Sequence, residues 1–193
     1  MESVMVAMEL AKTVIVADAL LPVKVLKDVR ASLPGRVGDL VLRRGAKLEL
    51  PLREALPLLR KGLVAVDPSR LYTLQELNKI RWIESRDPQM IQKLDEHFYL
   101  KARLTLAHLE KEEGVSGYRL EVAKALIIDI VKLRLQKVVR SVTANPEPNR
   151  DFMEKLTWEE RALYVKLCDL VNSWYRSMLE FIEEGDVLGG SPA

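Results

Sequence analysis

His97 and His108, the only two histidines, and Cys168, the only cysteine, are the residues whose types could bind a metal or act as a nucleophile. The two histidines lie eleven positions apart in a segment read as one helix, which puts them on the same face but about 16 Å apart along its axis. Zinc needs ligands converging within about 2.3 Å of one ion, so this spacing does not make a zinc pair. Asp95-Glu96 and Glu112-Glu113 are adjacent carboxylates. Neighbours on a helix point about 100° apart and cannot share one substrate atom as acid and base, so solvated helix faces account for them better. Cys168 sits in the helical pattern ALYVKLCDLVNSWY, where free cysteine behaves as a small hydrophobe. One cysteine also rules out an internal disulfide framework and a thiolate metal site. Neither HExxH, GxxxxGK[ST], GxGxxG nor GxSxG occurs, so neither catalysis nor a cofactor is expected.

The second chemical possibility is phosphate binding. Arg43, Arg44 and Lys47 cluster beside a predicted turn, and Lys132, Arg134, Lys137 and Arg140 recur along one long helix. Lys132, Arg134 and Lys137 scatter over different faces and answer local acids such as Asp129. Aromatic side chains are not interleaved with them. A DNA-binding regulator working through a basic N-terminal module is therefore the alternative reading, with tight direct binding disfavoured by this footprint.

The elements that would position these residues fall into two grammars. Residues 1–70 carry 12 Lys plus Arg against 8 Asp plus Glu, while residues 71–193 carry 18 against 20. In the first part, Thr13–Ala17 and Leu20–Val29 read as short strands, and Leu33-Pro34-Gly35 and Val37-Gly38-Asp39 as turns. Leu40–Leu42 and Lys47–Leu50 read as a further pair of strands about Arg43-Arg44-Gly45. Leu52, Ala55, Leu56 and Leu59 then recur at helical spacing after Pro51, with Gly62 as a stop before a strand at Leu63–Val66.

Beyond the boundary near Pro68–Tyr72 the pattern is helical throughout. Thr73 and Glu76 form a capping box for a helix over Leu74–Ser85, and Asp87-Pro88 reads as the start of a helix running to Glu113. Gly114 and Gly117 precede a helix over Tyr118–Val142, and Thr157 and Glu160 cap a last helix ending near Glu184. Between those two, residues 143–155 read as a loop or crossover. The expected fold class is α+β, a small N-terminal β-rich module followed by an all-α bundle of four main helices. The domains are expected at 1–70 and 71–185, with a disordered tail at 186–193.

Two features ask for something outside the chain. In Glu121–Val142 the apolar residues circle nearly the whole wheel, leaving a polar strip of Glu121, Asp129, Lys132, Gln136 and Arg140 that covers roughly 100°. Several helices, or helices plus another chain, must cover the rest. On the last helix Trp158, Trp174, Tyr175 and Phe181 join Leu163, Leu167, Leu170, Met178 and Ile182 at i, i+3, i+4 spacing, which reads as core. Trp174 and Tyr175 face about 100° apart, so both cannot occupy one seam. Each taken alone is expected inside the chain's own bundle, and one of the two at an interface.

With 48% hydrophobic and 30% charged residues among 193, the composition is that of a soluble globular protein with a sizeable core. No uncharged apolar run approaches the roughly 20 residues that cross a bilayer. Glu2, Glu9, Lys12 and Asp18 interrupt the apolar N-terminus, which reads as mature cytoplasmic protein and not as a signal peptide. Scarce Asn, Gln, His and Cys beside plentiful Lys, Arg and Glu suggest a thermophile.

Leu50-Pro51-Leu52 with Ala55 and Leu59-Arg60-Lys61, then His97-Phe98-Tyr99 with Ala102, then Ile128-Asp129-Ile130 with Arg134 and Lys137, together resemble GINS subunits of the Psf-two/Psf-three type. The likeness runs from about Leu48 to Val139, and the order of a small β-rich domain before a helical domain agrees with that type. Arg53 and Arg140-Ser141 depart from its pattern. The resemblance, with the thermophile-like composition, implies an archaeal, non-catalytic scaffold of the replisome. Such a subunit joins a sister GINS subunit in a heterotetramer at replication forks. It bridges the MCM helicase to a RecJ-like partner, with primase or polymerase as further contacts. On this reading Ile127, Asp129, Arg134, Lys137, Trp174, Tyr175 and Phe181 are expected at the subunit interface. Arg43, Arg44 and Lys47 are expected where other replication proteins dock.

Overall fold

Alternating burial builds the first unit. In β1 (Leu20–Val25) Leu21, Val23 and Val25 face inward while Leu20 and Lys24 face solvent. The structure, a computed structural model, describes residues 19–32 and 39–183. The strand expected at Thr13–Ala17, the turns at residues 33–38 and the tail from residue 184 lie outside the described residues.

β2 (Val29–Ser32) and β3 (Asp39–Leu42) form a two-stranded antiparallel sheet, and β4 (Lys47–Pro51) and β5 (Val64–Val66) flank β1 in a second one. From the sequence, β3 and β4 are expected as a pair of strands about Arg43-Arg44-Gly45. The two strands exist but take different partners, Leu42 opposite Val29 and Leu50 opposite Leu21. Gly45, at φ 86°, makes the bend that only glycine adopts at low cost, and it sends β4 into the other sheet. α1 (Leu52–Arg60) opens after Pro51 and ends at Gly62 (φ 64°), laying Ala55 and Leu58 on the core formed by Leu21, Val23, Val25, Leu50 and Val64. Residues 99–108 belong to this unit, with Leu104 packed on the same core.

Asp67 holds the module's last turn. Its Oδ1 accepts from the Ser69 amide (3.1 Å) and hydroxyl (2.8 Å), and its Oδ2 lies 3.2 Å from the Lys47 ammonium. Burial pushes this carboxyl up, but the Ser69 hydrogen bonds and Lys47 outweigh it and hold it below its ordinary value. A depressed folded-state value means that the stabilisation is present at neutral pH and is lost as pH falls through it, below about pH 4. Melting Asp67→Asn beside the wild type across pH should therefore show a gap that narrows as the solution is acidified. A gap that stays constant would remove Asp67 from the acid response.

The helical unit comprises, among the described residues, 73–98 and 109–183. α2 (Leu74–Arg86) opens with the expected capping box, Thr73 and Glu76 exchanging hydrogen bonds. α3 (Phe98–Glu113) ends at Gly114 (φ 79°), and α4 runs over Tyr118–Ala144. A short α5 (Arg150–Met153), capped by Asn149, orders the segment read as a loop, and α6 spans Trp158–Glu183. With α2, α3, α4 and α6 as the main helices, the fold class is α+β. The core of this unit gathers Ile91, Val138, Val142, Leu156, Tyr164 and Cys168.

The helix expected from Asp87 to Glu113 begins only at Phe98. Asp87 does accept from the amides of Gln89 and Met90, but residues 91–95 then run without helix. The carbonyls of Pro88, Met90 and Gln92 accept from Arg140, Lys137 and Arg134 of α4. A helix through this strap would consume those carbonyls, leaving the two buried cations among them, Lys137 and Arg134, short of acceptors. His97 consequently sits at the start of α3 instead of on a helix shared with His108.

Candidate assembly surface and the ion network beneath it

α4 has two unlike sides. Its inward side carries Leu120, Ala123, Ile130 and Val138, together with Arg134 and Lys137, which are 0% and 4% exposed. The Arg134 guanidinium grips Glu160 through Nε (2.6 Å) and Nη2 (2.7 Å), and donates through Nη1 to Glu84 (2.5 Å) and the Gln92 carbonyl (2.8 Å). Nη2 also donates to the Lys155 carbonyl at 3.2 Å. These bonds use all five guanidinium N–H groups. Lys137 Nζ donates to the other oxygen of Glu84 (2.5 Å) and to the Met90 carbonyl (2.6 Å). Two carboxylates and two cations thus form a neutral quartet joining α2, α4 and the start of α6. Glu160 also accepts from the Thr157 amide at 3.0 Å as half of the α6 capping box.

Arg134 and Lys137, expected at a subunit interface, therefore lie in the interior with their charges paired inside the chain. Asp129 is exposed and pairs with Arg81 at 4.0 Å. Ile127 is half-buried while its neighbour Ile128 is exposed.

The outward side of α4 combines the polar strip with an apolar stripe. Ile128, Val131, Leu135 and Val139, at intervals of three and four, are all exposed. The sequence wheel implied that the apolar arc needed covering, but it did not single out these four.

α6 shows the same incompleteness at its far end. Glu160, Tyr164, Cys168 and Val171 turn toward the unit's own core. Continued at helical spacing, that face carries Tyr175, Met178, Leu179 and Ile182, every one exposed. Leu163, Leu170, Trp174 and Phe181 form an exposed stripe beside it. Trp174 and Tyr175, each expected to be buried if taken alone, are 62% and 56% exposed, and Phe181 is 63% exposed. Among the described residues, the apolar stripe of α6 runs on past Val171, the last of its residues packed on this core.

Other candidate residues are held locally. Cys168 is fully buried, and burial pushes its thiol up, away from the reactive thiolate. Lys47 donates to Ser69 Oγ (3.0 Å) as well as pairing with Asp67, whereas Arg43 and Arg44 stand exposed on the β3–β4 turn. Among the described residues, His, Cys, Asp and Glu nowhere gather in groups of three that could hold a metal ion, and no helix is long and apolar enough to cross a membrane.

Residues 71–179 match the GINS complex protein helical bundle domain. A search of curated proteins found no match. The matched segment opens just before the Thr73 cap, takes in the Arg134 quartet and the exposed stripe of α4, and ends inside α6 short of Phe181 and Ile182. Since it covers more than half of the chain, this protein belongs to the family of GINS complex proteins, components of the GINS DNA replication complex.

Proposed function

We propose that this chain is the Psf-two/Psf-three-type subunit of an archaeal GINS complex, a non-catalytic scaffold that joins a sister GINS subunit in a heterotetramer. Residues 1–70 then form the small β-rich domain, 71–185 the helical domain and 186–193 a tail. The order of β module before helical bundle supports the type, as does the resemblance running from Leu48 to Val139.

The observation that carries the reading is the unfinished face of α6, where Tyr175, Met178, Leu179 and Ile182 extend a core stripe beyond its own packing. Exposed apolar residues contiguous over several turns mark a protein–protein surface. Trp174, Tyr175 and Phe181 are of the kind enriched there. Ile128 and Leu135 of α4 enlarge the apolar area available to a sister subunit, with Ile127 and Asp129 at its margin. The assembled complex would act at replication forks in the cytoplasm, supporting the MCM helicase and meeting a RecJ-like partner, with primase or polymerase as further contacts.

Size-exclusion chromatography with light scattering, on the chain alone and coexpressed with a sister GINS subunit, tests the proposal. Coelution as a heterotetramer is expected. A well-behaved monomer that ignores the coexpressed sister would sink it.

A further inference from the structure

Three connections of the β module are tied together at one end of its three-stranded sheet. The Leu26 and Lys27 amides after β1 donate to the Leu63 carbonyl (2.8 and 3.3 Å), just beyond the α1–β5 turn that carries Arg60 and Lys61. Val25 exchanges backbone hydrogen bonds with Ala46 (2.9 Å) and Gly45 (2.8 Å) in the β3–β4 turn that carries Arg43 and Arg44. The Arg44 amide also donates to Asp28 Oδ1 at 2.6 Å. Residues distant in sequence, Lys27, Arg43, Arg44, Arg60 and Lys61, are thereby brought to one corner, and all five are exposed.

Little within the module offsets this charge. Its other acids among the described residues are engaged away from these side chains or buried. Asp39 pairs with Arg30, Glu49 with Arg70 and Asp67 with Lys47, and Glu54 is 7% exposed. Only Asp28 stands in the corner, and it is occupied by a backbone amide.

We propose that this corner is a sequence-independent binding site for the phosphate backbone of duplex DNA, a function distinct from subunit assembly. Three features favour a polyanion of regular spacing over an acidic peptide. The cations sit on turns fixed by backbone hydrogen bonds, so their spacing is preset. Three of the five are arginines, Arg43, Arg44 and Arg60, whose guanidinium forks match phosphate oxygens. None of the three turns carries an aromatic residue for stacking on unpaired bases, so a single strand gains nothing over a duplex.

The test measures binding of a short fluorescent DNA duplex to the full-length chain by anisotropy between about 50 and 200 mM salt. Two variants with equal loss of charge are compared, one with Lys27, Arg43, Arg60 and Lys61 all changed to Gln, the other with Lys93, Lys111, Lys132 and Lys166 all changed to Gln. The wild type and the second variant should bind with a log–log salt slope of about −3 to −4, roughly −0.9 for each phosphate contacted. The first variant should bind at least about tenfold more weakly, with a slope no steeper than about −1, the share of the remaining Arg44. Equal weakening of both variants, or no duplex binding at low salt, would overturn the proposal. So would retention of an acidic peptide that the duplex cannot displace. A single strand of the same length that binds more tightly than the duplex would place bases in the site and overturn the backbone-only assignment. All eight substituted residues are exposed, so circular dichroism melts should coincide. The outcome does not depend on how the chain pairs with a sister subunit, so failure of either proposal leaves the other standing.

Discussion

Arg134→Ala should remove about 3–5 kcal/mol of stability from the helical unit, the largest loss expected for a single substitution among its charged residues. The reason is what it leaves behind. Glu84 is 1% and Glu160 6% exposed, and both would remain buried, with Lys137 the only cation left to answer two carboxylates. The carbonyls of Gln92 and Lys155 would lose a donor at the same time. Arg134→Lys should recover only part of the loss, because an ammonium has three donors where the guanidinium uses five, and it cannot fork onto Glu160. A useful contrast is Arg161, half-buried, which reaches the exposed Glu96 at 2.9 Å. Glu96→Ala should cost no more than about 1 kcal/mol, as exposed pairs do. Urea denaturation followed by circular dichroism measures all three. An Arg134→Ala loss no greater than that of Glu96→Ala would mean that the quartet is not an interior keystone.

The quartet also marks where reading the sequence stops working. Capping boxes are local, so Thr73 with Glu76 and Thr157 with Glu160 were legible from a spacing of three residues, as were the glycine ends at Gly62 and Gly114. Arg134 meets Glu160 across 26 positions and Glu84 across 50, and no periodicity encodes such partners. On the wheel it is one more charge on an apolar helix, and the family resemblance implies only that it pairs locally or across an interface. The same blindness explains the strap at residues 87–97. Asp87-Pro88 is sound local chemistry for a helix start, but the carbonyls downstream were needed by cations 42 and 47 positions away. In the β module, residues 43–45 gave the turn but not the partner, because a bend that joins two strands need not pair them. Trp174 and Tyr175 show a subtler limit. Tyr175 continues the core face and Trp174 lies on the stripe beside it; spacing shows both positions but not that both side chains are exposed.

That ending yields the second large effect. Changing Leu170 and Trp174 together to glutamate should abolish coelution with a sister GINS subunit while leaving the isolated chain's melting temperature nearly unchanged. Both residues are more than 60% exposed, at 65% and 62%, so the fold loses little when they change, on the order of 0.5 kcal/mol each. An interface, by contrast, would lose a central aromatic anchor worth about 2 kcal/mol or more and would have to bury two new carboxylates without partners. The combined penalty should weaken assembly at least a hundredfold, since each 1.4 kcal/mol is about tenfold. Tyr164→Ala, on the core face of the same helix and fully buried, should do the reverse. It strips a ring packed 5.1 Å from Phe152 and costs about 3–5 kcal/mol of stability. The two variants separate the half of α6 that builds this chain from the exposed half proposed to meet another. If the glutamate pair melts early, the exposed end of the helix is part of the chain's own fold; if it still coelutes, the sister subunit docks elsewhere.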